Sequence, residues 1–405
     1  MRREGTVIKS KLKLILPLLF MLIIITACSS RPLEDTYVPD EANLSINCLT
    51  LSPGSDETQV IFSWHSQDKN GMVHFREDDS VEEAEYRAES IFISDAFGYS
   101  HKAVVDDLKQ DTSYYYVISN GVAKSPEYKL TTGNAADFSF FIVGDPQLTV
   151  ESVGGWSNTV RKAVTAFPET SFMISCGDQV ENIGIEAEYA AYLRPNELRS
   201  LPVAQTLGNH DIGDAAYSNH FNMPNESAYQ ENYWFTYGKA LFMVLDSNIT
   251  DIGQHKEFME GAISSNPDCV WKIVVFHHSI YSEGAHHDSL YQSLQRDTWV
   301  PVFDKLDIDV VFSGHDHTYN RTHPMRGNKT NPNGIVYFAL NSSSGSKYYD
   351  WLYLKRASFS AFRSQNYRPQ FTKVYVTDDS LVITTHEIMV DNELCIIDSC
   401  AINKN

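Results

Sequence analysis

Two grammars of hydrophobic and polar positions divide the chain. From Leu44 to Thr132 short segments alternate apolar and polar, as in "QVIFSWHS", "ESIFIS" and "SYYYVIS", with turn residues between them. Period-two alternation of this length predicts half-buried strands. About ninety such residues, with Trp64 on a strand and a tyrosine-rich strand late in the segment, predict a small all-β sandwich. Thr131-Thr132-Gly133-Asn134 marks the boundary, so the sandwich is assigned to 44–133.

Beyond Gly133 unbroken apolar runs replace the alternation: "FSFFIVGD", "SFMISCGD", "LPVAQTLGNHD", "ALFMVLDSN", "WKIVVFHHS", "DVVFSGHDH" and "GIVYFALNSSSG". Between them lie amphipathic stretches over Ser157–Phe167, Glu186–Leu193, Gln254–Ser264 and Asp297–Leu306. Runs buried on both faces, interleaved with helices, predict an α/β domain over 134–405: a layered β-sandwich flanked by helices. The closing "KVYVTDDSLVITTHEI" reads as two more strands of a sheet, around an Asp-Asp turn. No internal repeat or low-complexity block interrupts this order.

The amino terminus follows neither grammar. Arg2, Arg3, Lys9, Lys11 and Lys13 precede an apolar stretch, Leu14 to Thr26, too short to span a bilayer comfortably. Small residues then lead to Cys28, which resembles the lipobox of a bacterial lipoprotein signal. Residues 1–28 are expected to be that signal, with lipid on Cys28, and 29–43 a polar tether. The expected location is extracytoplasmic, anchored to a membrane through the lipid. Of the other cysteines, Cys48, Cys176, Cys269, Cys395 and Cys400, none forms a CxxC pair. Burial as small apolar residues is expected for most, and a local Cys395–Cys400 bridge is the alternative. The net charge of −20 gives no footprint for nucleic acid. It leaves an anionic substrate in need of a bound cation. Nothing in the chain sets an oligomeric state.

The apolar runs share an ending. They stop at Asp145, at Asp178, at Asn209-His210-Asp211, at His277-His278 and at His315-Asp316-His317. In α/β sheets ligands bind at the carboxyl ends of strands, so these groups are expected to converge. Carboxylates, imidazoles and an amide without thiolate suit two ions of manganese, iron or zinc rather than a structural zinc cage. Two such ions clamp the attacking and leaving oxygens of a phosphoryl displacement.

The order GD…GD…GNHD…VxxH…GHxH resembles the calcineurin-like metallophosphoesterases. With the preceding sandwich, "DDLKQDTSYYYVI" of fibronectin type III character, "HFNMP" and "GHDHTYNRTHP", the chain resembles a purple acid phosphatase-type member. The resemblance implies that Asp178 bridges both metals, that Asp145 and His317 hold one, and that Asn209, His277 and His315 hold the other. It implies that His210, backed by Asp211, contacts the phosphate, and that His286 or His287 protonates the leaving group. It implies hydrolysis of a phosphorylated small molecule, a phosphate monoester, by attack of metal-bound hydroxide without a phosphoenzyme. A phosphodiesterase or nucleotidase on the same site is the alternative, and a non-catalytic surface binding protein a second. One departure stands out. Glu181 replaces the iron-ligating tyrosine of the purple enzymes, and Gln147 stands where the wider superfamily has a histidine. Gln147 is expected at the metal, with Glu181 as the other candidate. Tyr281, Tyr319 and Trp156 are read as pocket walls or packing caps, and Ser342–Gly345 as site rim or plain loop.

Overall fold

The computed structural model describes residues 46–213, 215–227 and 231–404. The expected signal and tether, with Cys28, lie outside the described residues. Two four-stranded antiparallel sheets open the fold. One runs Asn47–Pro53, Val60–Ser66, Gly98–Val105, Glu89–Ser94 across the sheet; the other runs Ala84–Arg87, Met72–Glu77, Ser113–Ser119, Tyr128–Thr131. Alternate residues of both close on Leu51, Phe62, Trp64, Val73, Tyr116 and Ile118, and Phe62 meets Tyr116 edge-on at 4.8 Å. "ESIFIS" is an edge strand, and its Ile91 and Phe92 stay exposed.

Two larger sheets form the second part. The six-stranded sheet has the order Val203–Gln205, Phe172–Ser175, Phe138–Val143, Gln370–Val376, Ser380–Ile388, Leu394–Asn403, its first three strands parallel. The seven-stranded sheet has the order Tyr233–Tyr237, Ala240–Leu245, Trp271–His278, Val310–Gly314, Val336–Ala339, Tyr319–Thr322, Ser360–Ser364. Four of its strands, from Ala240–Leu245 to Val336–Ala339, run parallel. The unbroken run "ALFMVL" now has a cause. Phe242 and Val244 point between the sheets, where Phe242 meets Phe140 and Phe172 at 5.2 and 5.4 Å. Leu241, Met243 and Leu245 point outward under Met259, Trp299 and Phe303 of the helices. Both faces of the strand are buried, so both must be apolar.

Three expectations shift. The stretch Asp297–Leu306 is not one helix: Leu290–Thr298 ends and Val300–Leu306 begins at Trp299, with Pro301 in the first turn of the second. Proline fits a first turn because its missing N–H is unneeded there. Among the described cysteines only Cys176 is buried; Cys395 is exposed and Cys48, Cys269 and Cys400 are half-buried. Cys395 and Cys400 lie on one extended strand, Leu394–Asn403. Five strand residues span about 16 Å, beyond disulfide reach, so the local bridge is excluded. The Asp-Asp turn does join two strands of the sheet, and Leu394–Asn403 adds a third that the pattern did not disclose.

Candidate metal centre

The parallel strands of both sheets aim their carboxyl ends at one place. Phe138–Val143, Phe172–Ser175 and Val203–Gln205 lead to Asp145, Asp178 and Asn209; Trp271–His278 and Val310–Gly314 lead to His277, His315 and His317. His277 sits at the middle. Its Nε2 lies 3.0 Å from Asn209 Oδ1, 3.3 Å from Asp178 Oδ2 and 3.2 Å from His315 Nδ1. Its Nδ1–H donates to the Cys176 carbonyl at 2.9 Å, which leaves the Nε2 lone pair toward the cluster. His317 is set the same way: Nδ1–H donates to the Lys347 carbonyl at 3.0 Å and Nε2 faces Asp145 Oδ1 at 3.7 Å. Ligand atoms of Asp145, Asp178 and His277 all lie within 4.8 Å of one another, as do those of His277, His278 and His315.

The backbone is bent to make this possible. Asp145, Gln147, Asp178, His315 and His317 all have positive φ, between 38° and 74°. Strain of this kind costs about 1–3 kcal/mol per residue and persists where surrounding contacts impose it. Those contacts are visible. Asp211 accepts the backbone N–H of Asp178 at 2.7 Å, of Gly208 at 2.9 Å and of Gln179 at 3.1 Å. Asp145 accepts the His315 N–H through both oxygens. A Cβ at Gly208 would come 2.1 Å from Asp178 Oδ1, and one at Gly314 2.5 Å from Asp145 Oδ2. Glycine is required at both because chain and carboxylate touch.

Charge follows burial. Desolvation pushes the Asp145 carboxyl up, and the nearby Asp178 carboxylate adds to that. Burial acts on Asp178 too, but the His277 imidazole and the His210 N–H outweigh it and hold Asp178 below the usual range. Burial lowers His277, yet the two carboxylates carry it up to about 9. Burial and the neighbouring His277 and His286 press His315 down to about 3, and burial lowers His317 to about 4. The His277 proton is held by the two buried carboxylates beside it, and a cation at the same place would relieve that buried negative charge in its stead.

Gln147 supplies an independent sign. It is fully buried, its N–H donates to the Asp178 carbonyl at 2.6 Å, and neither its amide oxygen nor its amide nitrogen has a hydrogen-bond partner. An orphaned amide beside Asp178 fits a position next to a metal. Glu181 arrives differently. Its side chain is half-buried, while its carbonyl accepts from His210 Nδ1 at 2.6 Å. Glu181, and not Asp211, therefore sets the His210 ring; Asp211 holds the Asp178 loop.

The two adjacent histidines separate. His286 stacks on His315 at 4.2 Å, and its Nδ1 pairs with Asp316 Oδ1 at 2.5 Å. His287 is not brought to the centre: its Nδ1 donates to the Ser282 carbonyl and its ring packs on Tyr353 and Phe359. His278 stays near, 4.5 Å from His315, with its Nδ1 on Ser247 Oγ.

Trp156, Tyr281 and Tyr319 are buried core residues, and Tyr281 edges a surface pocket with His287, Arg296 and Asn328 rather than the metal centre. Trp156 stacks on Tyr192, Tyr281 packs on Tyr337 and Phe359, and Tyr319 donates to Asp398. Ser342–Gly345 is neither rim nor plain loop. Ser342 Oγ donates to the Asp145 carbonyl at 3.1 Å and Ser344 Oγ to the Pro146 carbonyl at 2.5 Å, so the run braces the Asp145 turn from behind. Three contributors had no spacing signal: Ser247, Lys347 and Tyr349. The Tyr349 ring lies against His317 and His286 at 5.1 and 5.7 Å. Burial lowers the Lys347 ammonium, but its bond to Tyr349 and the fields of Glu181 and Asp178 outweigh that and raise it.

Known proteins agree with this geometry. Residues 138–319 match the calcineurin-like phosphoesterase family, and residues 46–132 match the purple acid phosphatase N-terminal domain. Fe(3+)-Zn(2+) purple acid phosphatase 12 of Arabidopsis thaliana is 23% identical over 361 residues, covering 77% of this chain and 76% of that protein. Purple acid phosphatase PPD1 of yellow lupin (Lupinus luteus) superposes with a TM-score of 0.76 at 16% identity, covering 89% of this chain and 74% of that one. PhoD superposes with a TM-score of 0.66 at 15% identity, covering 89% and 90%. The chain thus carries a segment that matches the purple acid phosphatase N-terminal domain, followed by one that matches the calcineurin-like phosphoesterase family and contains Asp145, Asp178, Asn209, His277, His315 and His317.

Proposed function

We propose that this chain is a dinuclear metallophosphoesterase that hydrolyses phosphate monoesters outside the cytoplasm, held at a membrane by lipid on Cys28. The observation that carries the enzymatic reading is the convergence of Asp145, Asp178, Asn209, His277, His315 and His317, linked through His277 and Asp145 by contacts of 3.0 to 3.9 Å. On this reading Asp178 would serve both ions, with Asp145, His317 and Gln147 holding one and Asn209, His277 and His315 the other. Two ions of the iron, zinc or manganese class would supply charge neutralisation for the phosphate and a water of lowered pKa.

The chain's own residues do the rest. His210, fixed through Nδ1 by the Glu181 carbonyl, keeps its other nitrogen for the phosphate. Hydrogen bonds to the developing charge stabilise the transition state more than the ground state. His286, with Nδ1 on Asp316, keeps Nε2 for the leaving oxygen. As water oxygen bonds to phosphorus and the ester P–O bond breaks, His286 Nε2–H donates its proton, and alcohol and inorganic phosphate leave. A binding protein without turnover has no need of such a braced and strained donor set.

The test is direct. The purified chain is expected to hold metal by elemental analysis and to turn over p-nitrophenyl phosphate faster than bis(p-nitrophenyl) phosphate with Mn²⁺, Zn²⁺ or iron added. Faster diester turnover would make it a phosphodiesterase; no metal and no turnover of either would sink the enzyme reading. Cys28→Ser should move the protein out of the membrane fraction, and its persistence there would refute the lipid anchor.

A further inference from the structure

A second cluster of ligand-type side chains lies away from the catalytic centre, where the sandwich meets the phosphoesterase domain. Cys48 and His65 come from the strands Asn47–Pro53 and Val60–Ser66; His220 ends the helix Ala216–His220. One ligand atom from each lies within 4.8 Å of the other two. His65 and His220 are buried, their rings stacked at 4.4 Å, and Tyr189 closes the other face of His220 at 4.5 Å.

The ring nitrogens are already sorted. His220 Nε2 pairs with Glu186 Oε2 at 2.8 Å, and His65 Nε2 with the Asn219 carbonyl at 2.9 Å. Metal-binding histidines are oriented in this way, one nitrogen on a carboxylate or carbonyl and the other free to ligate. His220 Nδ1 is buried with no nitrogen or oxygen partner, and it faces the Cys48 thiol. The backbone turns Cys48 toward it: φ is 51°, and the strand register shifts between Asn47 and Thr50. A bulge re-aims a side chain, and positive φ in a non-glycine residue marks a position held by its surroundings.

We propose that Cys48, His65 and His220 bind a Zn²⁺ ion that joins the sandwich to the phosphoesterase domain. One sulfur and two imidazole nitrogens are zinc's preferred donors, with water in the fourth tetrahedral position. The Cys48 thiol gives up its proton as the ion binds. The site is separate from the catalytic centre and independent of the function proposed above.

The full chain, stripped with chelator and reloaded with Zn²⁺, tests this without an activity measurement. Wild type is expected to hold one more zinc ion per chain than Cys48→Ser or His65→Gln. Zinc should slow alkylation of Cys48 roughly tenfold or more, because a bound thiolate is a poor nucleophile. Zinc should also raise the melting temperature of wild type beyond any rise in Cys48→Ser. Equal zinc content in wild type and variants, or a Cys48 alkylated equally fast with and without zinc, would overturn the proposal. If the variants do not fold, the alkylation of wild type decides it.

Discussion

Gln147 is the residue on which this centre departs most from its resemblance. Its amide is buried, orphaned and adjacent to Asp178 through the backbone. Gln147→Ala is therefore expected to weaken metal binding by roughly 10–100-fold with the fold intact, checked by metal titration; unchanged affinity would place Gln147 outside the centre. His286→Ala is expected to lower kcat by about 10²–10⁴-fold for alkyl phosphates. The loss should be far smaller for p-nitrophenyl phosphate, whose leaving group needs no proton. His287→Ala, whose ring packs on Tyr353 and Phe359, should leave kcat near wild type. Gly208→Ala must displace Asp178, and about 1–3 kcal/mol of destabilisation together with metal loss is expected in melting and elemental analysis. The adjacent histidines show where sequence stops: both stand one step from the same motif. Long-range contacts separate them: His286 bonds Asp316 and stacks on His315, whereas His287 packs on Tyr353 and Phe359.

At the scale of elements, apolar runs were legible because both faces of the central strands are buried. The helices were legible where the amphipathic period was clean. The split at Trp299 was hidden, since an apolar residue at a helix junction keeps the period on both sides. The Ser342–Gly345 run was the least legible element. Its composition suggests a loose loop, yet its hydroxyls satisfy the carbonyls of Asp145 and Pro146, groups about 200 residues away in the chain. Ser344→Ala should thus act at a distance. About 1 kcal/mol of stability is expected to be lost. Metal affinity should fall with it, as the Asp145 turn loosens; a change in melting temperature alone would limit the serine to stability.

For the molecule as a whole, buried neutral histidines set the response to acid. Burial holds His101, between Ser66 and Ser90 hydroxyls, and His386, against Phe371, at about 4. The unfolded chain, with histidine near 6.5, then binds more protons than the native chain between these values. Stability from these residues is complete above about pH 6.5 and is lost as pH falls toward 4. Melting temperature should decline over that window, and His101→Gln, which keeps a polar group between the two serines, should flatten part of the decline. A profile that is flat from pH 7 to 4 would show that neither histidine is held neutral.

The sequence by itself determined the class of fold and the kind of atoms gathered for chemistry. Hydrophobic period and strand-end residue types are local properties, and local properties survive in a linear reading. The tertiary structure decided which donors share a point, which histidine faces the centre, what braces Asp145, and that Cys48, His65 and His220 meet at all. These are long-range contacts, fixed when two sheets pack face to face and a sandwich docks beside them. No spacing along the chain encodes them.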